Sequence, residues 1–295
     1  MITRIHFIVN PVAGSGRNKL SPELMNKVFG NDIYDIKIKE SEFAGHAIEL
    51  AKESIKEKAE VIVACGGDGT INEVAGCLVG TNVILGIVPM GSGNGLASNL
   101  KIPRDTVKAL RIIKNFKVIK IDTGSINNEY FFSNTGIGFD AHVISDFEDN
   151  KKRKLWGYIK AVIKALKTYN YSNCVEISYL NEQKKVYPFL LFVSNSNEMG
   201  YKMSLTPKAS LQDGVLDVII VPKLSSIKMV FFTILFFIKK HYWLKEVEFI
   251  KTNSLIVRKS NDHIFKAQKD GERLKIEKDT IKIELLPKAL NVCVT

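Results

Sequence analysis

Three glycine-rich turns, each close behind a short apolar run, constrain this chain more than any other feature. They are Asn10-Pro11-Val12-Ala13-Gly14-Ser15-Gly16-Arg17, Gly66-Gly67-Asp68-Gly69-Thr70 and Gly91-Ser92-Gly93-Asn94-Gly95. The runs before them, Ile5 to Val9, Val61 to Ala64 and Ile84 to Val88, have strand length. Between them lie a further strand-like run, Ile33 to Ile38, and helical patterns from Ser21, around His46 to Lys58 and around Ile71 to Val79. Strands alternating with helices predict an α/β domain, a parallel sheet with helices on both faces. Ser21-Pro22-Glu23 is a sound helix start, with serine as cap and proline in the first turn.

In an open α/β sheet, ligands bind beyond the carboxyl ends of the strands, and glycine lets backbone amides approach phosphate oxygens. Three such turns on neighbouring strands converge on one crevice. The second turn runs from a strand into a helix, so its amides and the helix N-terminus make an anion site. Asp68 would repel a phosphate there. Its presence makes sense if it holds a magnesium ion through water or orients an attacking hydroxyl. Taken alone, Asp-Gly is also an ordinary tight turn, as at Asp213-Gly214. Three such turns in order are not. Neither a Walker A pattern nor a dinucleotide fingerprint follows the first strand, so the usual NTPase and dehydrogenase readings lose support.

From about Ser125 the texture changes to strands joined by turns: Tyr130 to Ser133, Cys174 to Leu180, Val186 to Ser194, Val215 to Val221, Ser254 to Arg258, Arg273 to Glu277 and Thr280 to Leu285. This spacing predicts a mainly antiparallel β-sandwich with a helical insert over Trp156 to Thr168. The expected organisation is an α/β nucleotide-binding domain over 1–124, a β-rich domain over 125–286 and a C-terminal segment, 287–295, that returns to the first.

The 42 Lys and Arg against 31 Asp and Glu give a formal net charge of +11, which attracts anions: nucleotides, anionic lipid surfaces or nucleic acid. No nucleic-acid-binding motif accompanies the lysines, so nucleic acid is not an expected partner. Cys65, Cys77, Cys174 and Cys293 lack the close spacing of a zinc or redox site and read as free thiols in a reducing cytoplasm. The N-terminus does not resemble a signal peptide. The five histidines show no ligand spacing and read as structural or surface residues.

Taken together, the motifs resemble the diacylglycerol kinase catalytic-domain family, which includes bacterial lipid kinases, sphingosine kinases and ceramide kinases. The resemblance runs nearly end to end. It rests on Asn10-Pro11-x-x-Gly14, on Gly66-Gly67-Asp68-Gly69-Thr70-Ile71-Asn72-Glu73-Val74, on Pro89 to Ala97 and on Asp270-Gly271-Glu272. It implies a lipid kinase using ATP and Mg2+ by in-line phosphoryl transfer. Asn10, Pro11, Val12, Ala13, Gly14, Ser41, Gly66, Gly67, Asp68, Gly69, Thr70, Ile71, Asn72, Glu73, Ser92 and Asn94 fall in the blocks that hold ATP. Asp270 falls where bacterial members place the general base, with Glu272 beside it, and Asp68 where sphingosine kinases place theirs. Asp213 falls where bacterial members bind a structural magnesium, with the carbonyls of Ser210 and Val215 as co-ligands. Asp122 matches a further acidic position of the magnesium network. One departure stands out: Gly95 replaces an aspartate usual in bacterial diacylglycerol kinases, and the turn then resembles that of sphingosine kinases, which leans the acceptor toward a sphingoid or related lipid.

The partners so implied are a membrane lipid substrate, an anionic membrane surface met transiently from the cytoplasmic side, and, as an allowance, a second copy of the chain. Lys151-Lys152-Arg153-Lys154 is the preferred membrane contact, with a solvated basic loop as its alternative. The longest apolar run, Met229 to Ile238, is about half the roughly 20 residues a spanning helix needs. With its flanks Ile227 and Lys239 to Trp243, it is read as a buried helix of the second domain in preference to a bilayer contact. Two other readings stay open: an NAD-kinase-like enzyme with a soluble acceptor, and a nucleotide- or lipid-binding protein without catalysis.

Overall fold

The fold is seen in a computed structural model, which describes residues 3–14, 20–30, 33–148, 174–199, 203–260 and 266–295. The expected basic loop Lys151–Lys154 and the helical insert Trp156–Thr168 lie outside the described residues, as do Ser15, Gly16 and Arg17 of the first turn. The chain divides into two units, Met1–Thr123 with Pro287–Thr295, and Gly124–Leu286.

The first unit is a doubly wound sheet. Strands β1 (Thr3–Val9), β2 (Tyr34–Glu40), β3 (Val61–Gly66) and β4 (Ile84–Pro89) lie side by side in the order β2-β1-β3-β4, all parallel. The end of the last strand, β16 (Thr280–Cys293), adds in parallel beside β4, pairing Asn291 with Ile84. β3 is buried along its whole length, as its unbroken apolar run requires for a central strand covered on both faces. β2, at the edge, alternates between half-buried and exposed positions. Helices α1 (Pro22–Phe29), α2 (His46–Lys56), α3 (Asp68–Leu78), α4 (Gly95–Asn99) and α5 (Thr106–Asn115) connect the strands. Ser21 and Asp105 cap α1 and α5 by accepting from the amides of Leu24 and Lys108. Because the chain runs from β1 outward to β2 and then back across to β3, the order reverses between β1 and β3. Ligands of open α/β sheets bind at such a reversal.

The second unit is a sandwich. Among the described residues one sheet has the order β12-β11-β10-β7-β14-β15: Glu248–Thr252, Leu216–Pro222, Pro188–Ser194, Asn134–Gly138, Lys266–Lys269 and Glu272–Lys275. The other contains β8 (Val175–Tyr179), β9 (Glu182–Val186), β13 (Ser254–Lys259) and the start of β16; β5 (Val118–Ile126) and β6 (Glu129–Phe131) form a hairpin beside it. Side chains alternate between two cores. Leu191 and Val193 of β10, with Val218 and Ile220 of β11, fill the space between the sheets. Leu190, Phe192, Ile219 and Val221 point to the opposite face. Helices α6 (Phe139–Glu148) and α7 (Ser226–Phe237) also belong to this unit, and Phe139 and α7 cover that opposite face.

The reading of the Ile227–Ile238 segment as a buried helix is corrected here. Phe232 is buried, and Met229 and Phe236 pack beside it against the outer core, but Ile227, Val230, Phe231, Ile234, Phe237 and Ile238 are exposed. The reason is geometric. A helix laid on the outside of a sheet can bury one stripe, and nothing among the described residues covers the other. The expected strand Val186–Ser194 is also two strands, β9 and β10, broken at Tyr187 ahead of Pro188.

Two substitutions test this packing. Phe192→Ala, which empties a fully buried ring position, should cost about 3–5 kcal/mol in urea unfolding of the second unit. Phe237→Ala, on the uncovered face, should change stability by less than about 0.5 kcal/mol.

Candidate active site

The first and second turns flank the reversal between β1 and β3, and the third follows β4. They touch. The Asn10 side chain donates to Thr70 Oγ1 (3.3 Å) and accepts from the amide of Val12 (3.1 Å), tying the first turn to the start of α3. The Ser41 amide donates to Val9 O (2.8 Å), which brings the end of β2 to the same rim. The amide of Met90 donates to Gly66 O (2.7 Å).

The second and third turns are joined by Asp68. Its Oδ2 accepts from the amide of Asn94 (2.7 Å) and its Oδ1 from that of Gly95 (2.6 Å). Asp68 stands in the first turn of α3 and its carboxylate caps the start of α4, so it clamps two loops in addition to the metal or base roles suggested by its sequence. The same bonds account for a carboxylate beside an anion site, because its charge is met by two aimed amides. Such closeness leaves no room for side chains. A Cβ at Gly91 would stand 2.6 Å from Gly67 Cα, and one at Gly14, whose φ is +71°, would stand 2.7 Å from Met90 O.

The other expected site residues of this unit are already engaged in holding the fold, or lie exposed at its rim. Ile71 is core, and its amide bonds Gly67 O. Glu73 accepts from the amide of Gly45 (3.1 Å) and so fixes the start of α2. Asn94 is buried with φ +57°; its side chain accepts from Gly91 N (3.0 Å) and donates to Gly91 O (2.6 Å), closing its own turn. Ser92 O accepts from Arg104 Nη2 (2.6 Å). Pro11 and Val12 are exposed, and Asn72 is half-buried on α3. Gly67, Gly69 and Thr70 sit where the first amides of a helix have no intrahelical acceptor. That is the chemistry of a phosphate cradle.

In the second unit, Lys269-Asp270-Gly271-Glu272 is the two-residue turn of the β14–β15 hairpin. Asp270 and Gly271 both have positive φ, +49° and +84°, as a type I′ turn requires. Here Asp-Gly is more than a turn. Asp270 Oδ1 accepts from the amides of Ser133 (2.8 Å) and Asn134 (3.0 Å), Oδ2 accepts from Phe132 (2.8 Å), and its own amide donates to Asn134 O (2.8 Å). Burial nevertheless pushes the Asp270 carboxyl up to about 6, against the opposing pull of those three amides and of Lys269. A carboxylate has about four acceptor sites, so one on Oδ2 remains for a substrate proton. Glu272 opens β15 beside it and is exposed.

Behind this turn lies a polar network that sequence reading missed. Buried Gln268 accepts from the amide of Gly271 through Oε1 (2.9 Å), and its Nε2 donates to Asn134 Oδ1 and Asp140 Oδ2 (both 3.0 Å). Asp140, at the start of α6, is buried and pushed up to about 6 by that burial. Its one sequence signal was an acid two positions after the Gly136-Ile137-Gly138 of a buried strand.

Asp213, with Ser210 and Val215 in the same loop, bears a different partner. Lys251 Nζ lies 3.2 Å from Asp213 Oδ2 and 3.8 Å from Asp217 Oδ1. Burial and the neighbouring Asp213 charge raise the Asp217 carboxyl, while Lys251 lowers it; its buried Oδ2 has no hydrogen-bond partner. Among the described residues no three His, Cys, Asp or Glu side chains gather as metal ligands. Asp122, buried in the first unit, accepts from the amide of Lys288 (2.7 Å) and pins the returning strand.

The diacylglycerol kinase catalytic domain matches residues 4–126, and the YegS C-terminal NAD kinase beta sandwich-like domain matches residues 133–294. The chain belongs to the diacylglycerol kinase catalytic-domain family. A diacylglycerol kinase of Bacillus subtilis is 31% identical over 225 residues, 75% of this chain and 74% of the relative. A probable lipid kinase YegS-like of Chromohalobacter salexigens is 31% identical over 189 residues; the match spans 62% of this chain and 61% of that relative's length. The crystal structure of a putative diacylglycerol kinase from Bacillus anthracis superposes with a TM-score of 0.81 at 23% identity, covering 99% of this chain and 95% of that one, and this likeness shows the fold.

The clamp yields a direct test. Asp68→Ala removes two charge-assisted bonds and should lower stability by about 2–3 kcal/mol in thermal or urea melts.

Proposed function

We propose that this chain is an ATP-dependent lipid kinase that transfers the γ-phosphoryl group to the hydroxyl of a membrane lipid, a diacylglycerol or a sphingoid base, at the cytoplasmic face of a membrane. The observation that carries the reading is Asp270, a carboxylate held by three backbone amides with an acceptor site to spare and a carboxyl raised to about 6. A general base works best when its pKa lies near the working pH. Family membership supports ATP as the donor, and the glycine turns supply the amides that receive its phosphates.

In this scheme Asp270 takes the proton of the acceptor hydroxyl, that oxygen bonds the γ-phosphorus, and the bond to the β,γ-bridging oxygen breaks to release ADP. The turns hold the nucleotide and do no covalent work. The oxygen atoms around Asp213 suit magnesium, a hard cation: Asp213 itself, Asp217 with its unpartnered Oδ2, and the carbonyls of Ser210 and Val215. Magnesium bound there would supply positive charge that fixes the loop before β11, in competition with the Lys251 ammonium.

Transfer of labelled phosphate from ATP to diacylglycerol and sphingosine in mixed micelles, with NAD as the soluble control, tests the proposal. Labelling of NAD alone would replace it with a small-molecule kinase. Asp270→Asn should reduce turnover by about a hundredfold or more. Because the folded carboxyl sits near 6, activity should be full at pH 7–8 and fall as pH drops through about 6, where the base becomes protonated. Asp140→Asn should retain that acid limb, which separates the two buried carboxyls.

A further inference from the structure

The uncovered face of α7 is an exposed apolar surface with a cationic and aromatic rim. Ile227 and Phe237 are 73% and 71% exposed, with Val230, Phe231, Ile234 and Ile238 between and beside them. These positions recur at the three- and four-residue spacing of one helix side, opposite Met229, Phe232 and Phe236, which face the protein. Contiguous exposed apolar side chains of this size mark an interaction site.

The ends of the helix are built as well. Ser225 caps its start by accepting from the amide of Lys228. At its close Lys239 takes φ +57°, a conformation that favours glycine, and the amide of Lys240 donates to Leu235 O (2.7 Å). A 3₁₀ turn, His241–Trp243, follows. His241 is buried, Nε2 lies 2.7 Å from Leu205 O, and its ring packs edge-on to Phe232 (5.8 Å), so the segment is anchored from beneath. Tyr242 and Trp243 remain exposed beside it, with Lys240 Nζ 4.5 Å from the Trp243 ring and Lys208 Nζ 5.4 Å from that of Tyr242. From Ser226 to Lys245 the sequence has four lysines and no acidic residue.

We propose that α7 and the 3₁₀ turn after it are the membrane-docking surface of this protein, lying flat on an anionic bilayer with the outer face of α7 among the acyl chains and Lys239, Lys240, Tyr242 and Trp243 at headgroup level. The inference rests on the lipid-kinase reading for its purpose and on geometry for its place. Twelve residues of helix span about 18 Å, too short to cross a hydrocarbon core of about 30 Å, and no described helix is long and apolar enough to do so. Apolar side chains flanked by lysine, tyrosine and tryptophan match the layered chemistry of an interface. Charge decides between a bilayer and a second copy of the chain: two chains of formal charge +11 repel, whereas anionic headgroups attract this rim.

The test is sedimentation of the full chain with phosphatidylcholine vesicles, with and without phosphatidylglycerol. Turnover is read separately on vesicle-borne acceptor and on a short-chain acceptor kept monomeric. Ile234→Glu combined with Phe237→Glu should keep the melting temperature and turnover of the monomeric acceptor, and lose vesicle binding and vesicle turnover by about tenfold or more. Lys239→Gln with Lys240→Gln should weaken binding only when phosphatidylglycerol is present, and the wild-type advantage should shrink with salt. In a Trp156→Phe background, which leaves Trp243 as the one tryptophan, emission should be quenched by bromine-labelled acyl chains, and not when the two glutamates are added. Should the double glutamate chain fail to fold, Phe237→Glu alone carries the same comparison. Wild-type sedimentation by folded glutamate variants overturns the proposal, and so does a wild-type dimer that those variants dissociate. If the wild type docks through α7 but phosphorylates no lipid, the kinase reading fails and the docking surface stands.

Discussion

The Asp68 carboxylate, shared between the amides of Asn94 and Gly95, makes one surface out of loops from two strands. An anion site built of backbone amides works only if the amides are held in place, and glycine-rich loops are otherwise the most mobile backbone available. The clamp reconciles the two demands. It is charged, so each bond is stronger than a neutral one, and it draws the third turn so near the second that Gly67 and Gly91 approach backbone to backbone. Asn94, spending its side chain on Gly91, and Asn10, reaching Thr70, brace the same loops from within. The absence of side chains at these glycines is therefore a packing requirement as much as a means of ligand approach.

Asp270 repeats the device in the second unit. Its carboxylate too is met by amides, and burial outweighs the three bonds it accepts, pushing the carboxyl up to about 6. The type I′ turn fixes its backbone and Gln268 fixes the glycine beyond it through Oε1, so its position is determined from both sides. Gln268 also reaches Asp140, a second buried carboxylate with a raised pKa. Its bonds run to Asp140, Asn134 and the Gly271 amide and not to the Asp270 carboxylate, so the two acids are held separately.

Much of this was legible in sequence, for identifiable reasons. A buried parallel strand must be apolar throughout, which is why β1, β3 and β4 were visible within a residue or two of their ends, and glycine clusters marked the turns after them. The sandwich was visible as short strands spaced by turns, although Pro188 split one expected strand and β12 and β14 carried too many charged or polar residues to show. Asp270 was found by motif, but the amides of Phe132, Ser133 and Asn134 that hold it lie more than 130 positions away, and no local pattern encodes such a contact. Asp217 hid for the opposite reason: one acid at the start of an apolar strand reads as an edge residue until Lys251 appears opposite.

The reading of α7 failed on a physical ambiguity worth keeping in view. A helix apolar all round is ordinarily buried, because water penalises each exposed methylene, and composition says nothing about what does the burying. A sheet can cover one stripe of a helix laid upon it. For the other stripe the rule remains true while its usual conclusion fails, since an acyl-chain layer satisfies the same apolar surface as a second protein layer would. What distinguishes the two is the rim. Protein cores exclude lysine, whereas here Lys239 and Lys240 follow the helix, and Lys240 and the distant Lys208 lie over the aromatic rings of Trp243 and Tyr242. Apolar periodicity thus shows that a face must be covered, and the charge at its edge indicates by what.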